Sequence, residues 1–230
     1  MIASLVDEET WIRTLQNIPL WRPTAKSLVV VAPHPDDETL GAGGLIADRR
    51  AAGIRVTAVC VTNGEASYQD SPKLAEIRIV EQQLALETLG VAPRDIVRLN
   101  LPDSDVSSYE RDLVARLSQL VQPDTLVLAP WVRDWHPDHE ACGRAAQQVC
   151  LSSGAELVYY LFWTWHQGSP DWLAGEAVRR FQLSNEQLAS KEKALQHHRS
   201  QLYRQDGLPI LPTHLLAPAK RAFETYILHA

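Results

Sequence analysis

No run of lysines and arginines occurs anywhere in this 230-residue sequence, and 22 basic against 28 acidic residues leave a formal net charge of -6. Binding to a polyphosphate draws on basic clusters that release counterions, so nucleic acid is not an expected partner. Long apolar runs are missing as well, and none approaches the roughly 20 residues that span a bilayer. The opening residues, MIASLVDEETWIRTL, place acids where a secretion signal carries a basic segment. These absences predict a cytoplasmic protein without a membrane span. Cysteine is scarce: Cys60, Cys142 and Cys150 are the three present, an odd number that argues against a disulfide framework. Cys60 lies in an apolar run, and Cys142 and Cys150 stand too far apart for a two-cysteine metal knuckle, so all three are expected as small buried hydrophobes. Internal repeats, low-complexity tracts and linker compositions are also lacking. Residues 1–230 are therefore expected to form a single domain, with 1–25 an extension that packs on it or on a neighbour.

What is present is an alternation of short apolar runs with longer amphipathic stretches. SLVVVA (27–32), VTAVCVT (56–62), DIVRLN (95–100), TLVLAP (125–130) and ELVYYLFW (156–163) read as strands. Between them, helices are expected over 40–53, 72–90, 109–120 and 139–150, with another near 185–201 and a short one at the C-terminal end. Strands buried on both faces read as continuous apolar segments, and the pattern predicts an α/β fold with a Rossmann-like, mostly parallel sheet flanked by helices. Ligands of such sheets bind beyond the carboxyl ends of the strands. The polar clusters fall there: His34 to Asp37 after the first strand, Asn63 to Glu65 after the second, Pro102 and Asp103 after the third, Arg133 to His139 after the fourth.

Two of these clusters carry chemistry. His34-Pro35-Asp36-Asp37-Glu38 and His136-Pro137-Asp138-His139 could each be a turn that caps a helix, where acids are favoured by the dipole. Capping explains one or two acids but no histidine. A histidine and a carboxylate from one strand end with a histidine from another make the three-ligand set of an open catalytic metal site. A divalent ion held in this way brings the pKa of a water molecule toward about 7. The spare carboxylate can then take the proton. From the residues alone, either Asp36 or Asp37 is the ligand.

The HPDDE and HPDH segments resemble those of the zinc-dependent N-deacetylases of the LmbE-like, or PIG-L, family. Thr62-Asn63-Gly64-Glu65, the set Arg78, Glu81, Ala85 and Leu89-Gly90, and Leu101-Pro102-Asp103 extend the similarity, with Ser104 in place of a usual glycine. Lys191 and the later His198-Arg199-Ser200-Gln201 resemble the family's late signature. The resemblance implies an LmbE-like fold and Zn2+, or another divalent ion such as Fe2+, held by His34, Asp37 and His139. It makes Asp36 the general base. His136 then stabilises the oxyanion, oriented by Asp138, and Asp134 supports a ligand from behind. Arg78, with Glu81 as its expected partner, and His198 are expected to bind substrate. The implied activity is removal of an N-acetyl, or another N-acyl, group from a small amino-sugar conjugate, and the implied assembly is a homo-oligomer.

Seven tryptophans are present, and Trp131, Trp135, Trp163 and Trp165 fall at the same sheet edge, where aromatic faces suit sugar rings or acyl chains. Three rival readings exist. A dinucleotide-binding oxidoreductase needs a G-x-G-x-x-G turn, but Ile46 follows Gly41, Gly43 and Gly44, and acids fill the place of a pyrophosphate; the glycines are expected to let a helix approach the sheet. A non-haem metal oxygenase shares the donor set of two histidines and one carboxylate. A non-catalytic metal sensor needs neither Asp36 nor His136.

Overall fold

The computed structural model describes residues 4–68, 71, 73–204 and 207–229. Helix α1 (Glu8–Leu15) comes first, capped by the Asp7 side chain. Then β1 (Ser27–Ala32), α2 (Asp37–Ala51), β2 (Arg55–Cys60), α3 (Leu74–Thr88), β3 (Ile96–Arg98), α4 (Glu110–Leu117), β4 (Thr125–Pro130), α5 (Pro137–Ser153) and β5 (Glu156–Tyr160) alternate along the chain. Short α6 (Thr164–Gln167), β6 (Val178–Gln182), α7 (Asn185–Leu195), α8 (Arg199–Leu202) and β7 (Phe223–Leu228) complete it. Pro72, with which the third helix was expected to begin, lies outside the described residues.

The seven strands form one sheet in the order β3-β2-β1-β4-β5-β7-β6. The first five are mutually parallel, and β7 runs antiparallel to both β5 and β6. Alternate residues of the central strands enter two separate cores. Val29, Val31, Val127 and Ala129 pack with α5, α4 and Trp11 and Leu15 of α1 on one face. Leu28, Val30, Leu126 and Leu128 pack with Leu45, Leu86 and Ala194, from α2, α3 and α7, on the other. Burial on both faces is why these strands carry no polar alternation. The three cysteines are free and buried, as their scarcity implied.

Strand order reverses between β1 and β4, so the loops after these two strands open side by side. Those loops are HPDDE and HPDH. Helix α2 approaches the sheet closely because Gly41 and Gly44 carry no side chains; a Cβ at Gly41 would stand 2.3 Å from the Tyr160 ring, and one at Gly44 2.3 Å from Leu183. A buried ion pair then fixes the helix laterally. Lys191 Nζ donates to Glu224 Oε1 at 2.6 Å, and the same carboxylate accepts from the main-chain N–H groups of Gly44 and Leu45 at 2.8 and 2.9 Å.

Three expectations are corrected. The chain end, expected as a short helix, is β7, with Glu224 inside it turned toward Lys191. The helix expected near 185–201 is two, α7 and α8, parted at Gln196 to His198, where His198 has ψ 53. Strand β6 had not been foreseen. Residues of the N-terminal extension contact the sheet domain: Trp11 Nε1 donates to the Trp165 carbonyl at 3.1 Å, and Arg221 donates twice to Glu8 at 2.6 and 2.7 Å. Among the described residues no helix is long and apolar enough to cross a membrane.

Candidate metal centre

Helix α2 starts at Asp37, three residues before the expected start, and this places Asp37 and Glu38 in its first turn. Asp36 occupies the cap position, yet its side chain makes no capping bond, its φ is 146°, and it is 5% exposed. A buried non-glycine residue in that region costs of order 1–3 kcal/mol and marks a backbone held for a purpose. Capping therefore does not account for the acid at 36. Helix α5 begins differently: Pro137 is its first residue, and His136 caps it by accepting the Asp138 N–H through Nδ1 at 3.2 Å.

Asp37 Oδ2 is the focus of the site. It lies 3.1 Å from His34 Nδ1 and 3.3 Å from His139 Nε2, and it accepts the His34 main-chain N–H at 2.9 Å. One donor atom from each of His34, Asp37 and His139 falls within 4.8 Å of the others. His139 is fully buried, and its Nε2 has no hydrogen-bond partner. An orphaned imidazole nitrogen facing a carboxylate fits a cation, because a metal ion accepts the lone pair that no protein donor meets. The two imidazoles and one carboxylate thus fit a divalent ion.

His34, His136 and Asp138 form a second cluster with donor atoms equally close. It is the weaker candidate, because Asp138 is already engaged. Its carboxylate accepts from Ser104 N at 2.8 Å, Val106 N at 3.1 Å and His34 Nε2 at 3.1 Å. The Asp138 side chain thus braces His34, while its main-chain N–H donates to His136 Nδ1. Asp134 does the same for His139, accepting from its Nδ1 at 2.9 Å while four further donors from residues 162–164 hold the carboxylate still. Each candidate ligand histidine therefore has its outer nitrogen fixed by an acid, which turns the other nitrogen inward. Asp103 joins this arrangement, 3.3 Å from His34 Nε2. The sequence places it at the ligand-binding edge of the sheet, but nothing there marks it as reaching the histidine.

The electrostatics follow from burial and crowded charge. Burial opposes the charged forms of His34 and His139, but the carboxylates outweigh it: His34 is raised well above the ordinary imidazole range, and His139 to about 9. Asp37, although buried, is lowered by His139 and His34. Burial and the neighbouring Asp37 push the Asp36 carboxyl well up. His136 goes the other way, down to about 4, through burial and the proximity of His139 and His34. It is neutral at pH 7, and since Nδ1 accepts a backbone N–H, its proton resides on Nε2.

A cavity of about 220 Å³ opens onto these groups, lined by His34, Asp36, Asp37, Asp103, His136 and Arg78 on one side and by Phe162, Trp163, Ile210 and Leu211 on the other. Arg78 lines it although the residue is 1% exposed. Its guanidinium donates to Gly64 O and Ser67 Oγ at 2.7 Å and to Gln201 Oε1 at 3.1 Å, and lies 4.0 Å from Asp36. Gly64, at φ 66°, leaves room for it, because a Cβ there would stand 2.1 Å from the guanidinium. Glu81, the expected partner, instead accepts from Ser200 N and Oγ. His198 is brought near the site but not into the cavity. It is fully buried behind Gln201, whose Nε2 lies 3.2 Å from His198 Nδ1 and donates to the Pro35 carbonyl at 2.6 Å. Of the four tryptophans expected at this edge, Trp131 and Trp165 are core residues, Trp163 lines the cavity, and Trp135 is exposed.

The PIG-L family profile, described as GlcNAc-PI de-N-acetylase, matches residues 29–150. A probable N-acetyl-alpha-D-glucosaminyl L-malate deacetylase 2 of Bacillus subtilis (strain 168) is 32% identical over 129 residues, which cover 51% of this chain and 58% of that protein. The chain therefore spans less than two thirds of that curated relative. Among solved structures, the N,N'-diacetylchitobiose deacetylase from Pyrococcus horikoshii superposes with a TM-score of 0.64 at 24% identity, over 88% of this chain and 82% of that one. The hydratase GalB from Pseudomonas putida KT2440 superposes with a TM-score of 0.58 at 16% identity, over 89% of this chain and 95% of that one. Likeness at these identities is likeness of fold, and one fold serves more than one reaction.

Proposed function

The chain belongs to the PIG-L family, and from that premise we propose that it is a metal-dependent hydrolase, acting in the cytoplasm, that removes an N-acetyl group from a small amino-sugar conjugate. The observation that carries the reading is the orphaned His139 Nε2 facing Asp37, which itself lines a cavity together with Asp36 and His136. His34, Asp37 and His139 hold the ion, Zn2+ being the one that best matches such a set, with Fe2+ sharing the same ligand types. When bound there, a divalent ion supplies the Lewis acidity that makes water a nucleophile near neutral pH.

The remaining work falls to the protein. Asp36, buried and uncommitted to a cap, takes the proton of the attacking water. The neutral His136 presents Nε2–H to the amide oxygen as negative charge develops on it, and the proton that Asp36 has taken from the water passes to the departing amine. Asp134 and Asp138 keep the two ligand imidazoles turned inward. Arg78, anchored on Gly64, Ser67 and Gln201, holds the substrate side of the cavity beside Asp36.

The reading is tested by incubating the zinc-loaded protein with a panel of N-acetylglucosamine conjugates and measuring free primary amine and acetate. Product that disappears with a chelator and returns with zinc is expected. Tight zinc binding with no product from any conjugate would overturn the hydrolase in favour of a binding protein. Oxidised product that needs dioxygen would overturn it in favour of an oxygenase.

A further inference from the structure

Trp135, immediately before His136, has an unusual situation for its residue type. Its φ is 61°, in the left-handed region that bulky side chains avoid, and the residue is 43% exposed. Three other tryptophans, Trp11, Trp131 and Trp165, are buried in the core. The exposed ring is nevertheless braced. It lies 4.9 Å from the ring of Trp172 at 38°, and its main-chain N–H donates to Glu140 at 3.2 Å. Trp172 Nε1 donates to the Arg133 carbonyl, and the Arg133 guanidinium lies 4.1 Å from the Trp172 ring centre. The alignment of His136 does not require Trp135, because Trp163 stacks on that imidazole at 5.8 Å and 17°.

We propose that Trp135 is a sugar platform at the mouth of the site, taking the face of a pyranose ring joined to the N-acyl sugar in the cavity. The inference deepens the hydrolase reading and rests on it. A flat, fixed indole matches the CH-rich face of a pyranose, and little rotamer freedom is lost on stacking. The hydroxyl rim of the sugar finds polar partners in Arg133 and Glu176, which are paired with each other at 3.2 Å and partly exposed. A purely apolar chain would gain nothing from those charges, and an apolar wall is already provided inside the cavity by Phe162, Trp163, Ile210 and Leu211. Trp135 directly precedes His136, which lines the cavity, so the exposed indole is the aromatic face next along the chain from that wall.

The test is binding, not turnover. Zinc-loaded protein carrying Asp36→Asn, which prevents consumption of the probes, is titrated calorimetrically with N-acetylglucosamine and with N,N'-diacetylchitobiose, with Trp135 intact, as Trp135→Ala and as Trp135→Phe. The disaccharide is expected to bind about tenfold more weakly to the Ala variant, the monosaccharide to change far less, and Phe to recover much of the loss. Trp135→Gly, at ease at φ 61°, removes the ring without backbone strain and replaces the Ala variant if that one misfolds. Equal weakening of both sugars, no weakening, or no saturable disaccharide binding with Trp135 intact would each overturn the platform. So would a dimer that dissociates on loss of the ring, since the indole would then be a contact between copies. Failure of the hydrolase reading shows separately, as wild-type protein that binds the disaccharide and releases no acetate.

Discussion

His34-Pro35-Asp36 and His136-Pro137-Asp138 are the same three residues at the ends of neighbouring strands, yet the helices that follow begin at different points of the string. In the first loop the helix starts at Asp37, leaving His34 two residues ahead of the cap; in the second it starts at Pro137, and His136 is itself the cap. The shift changes the use of every repeated residue. His34 turns Nδ1 toward Asp37 Oδ2, whereas the residue of the second loop that faces the same oxygen is His139, a turn after the cap. Asp36 keeps an uncommitted carboxylate, whereas Asp138 gives its carboxylate to Ser104, Val106 and His34. Identical strings at equivalent strand ends need not carry identical roles, because the position of the first helical residue decides which side chain turns inward.

The largest expected effect tests the first loop. Asp37→Asn should lose bound zinc, by elemental analysis, and all hydrolysis with it, whereas Asp36→Asn should keep zinc and lose turnover by about 10²–10⁴-fold. The opposite pattern would exchange the two roles. For the second loop, His136→Asn, which retains a capping side chain, should lower kcat by roughly 10²–10³-fold with zinc retained. Asp138→Asn should instead weaken zinc by about 10–100-fold. Should it cut kcat with zinc affinity intact, Asp138 acts through His136 and the contrast between the two aspartates fails.

A third measurement reads protons. The surrounding carboxylates raise His34 and bring His139 to about 9, so zinc binding to these imidazoles should release protons. The heat of zinc binding at pH 7 should vary with the ionisation enthalpy of the buffer, and affinity should rise with pH up to about 9. The smallest effect concerns what holds the first loop from behind. Burial, with Arg78 and His197 nearby, lowers His198 to about 3, so acid charges this residue more readily in the unfolded chain than in the folded one. Stability from this group is complete above an ordinary imidazole pKa of about 6.5 and is lost as pH falls toward 3. His198→Gln should flatten the fall of Tm over that window by a few degrees, on the order expected for a single buried group.

Much of this arrangement could be read before any coordinates. Strands buried on both faces, such as Ser27–Ala32 and Thr125–Pro130, announce themselves as unbroken apolar runs. The clusters that follow them contain histidines, of which capping accounts for His136 alone. The edge of the sheet was illegible for the opposite reason. Strand β6 carries Arg179 and Arg180, and β7 carries a buried glutamate and threonine, so neither shows an apolar run or a clean alternation. Asp103 and the bracing role of Asp138 were hidden too. Both depend on which way a carboxylate turns across a gap between separate loops, and spacing along the chain says nothing about that.

The buried pair of Lys191 and Glu224 has a consequence for how the molecule can be divided. The family profile matches residues 29–150, but two main-chain N–H groups of α2 donate to Glu224, and the carbonyl of Pro35 accepts from Gln201. A fragment cut to residues 29–150 would keep all three proposed ligands and lose the groups that hold α2, the helix of Asp37, in place. The boundary of resemblance is thus not a boundary of cooperative folding, and protein engineered around residues 29–150 should be expected to carry the chemistry of the site without its geometry.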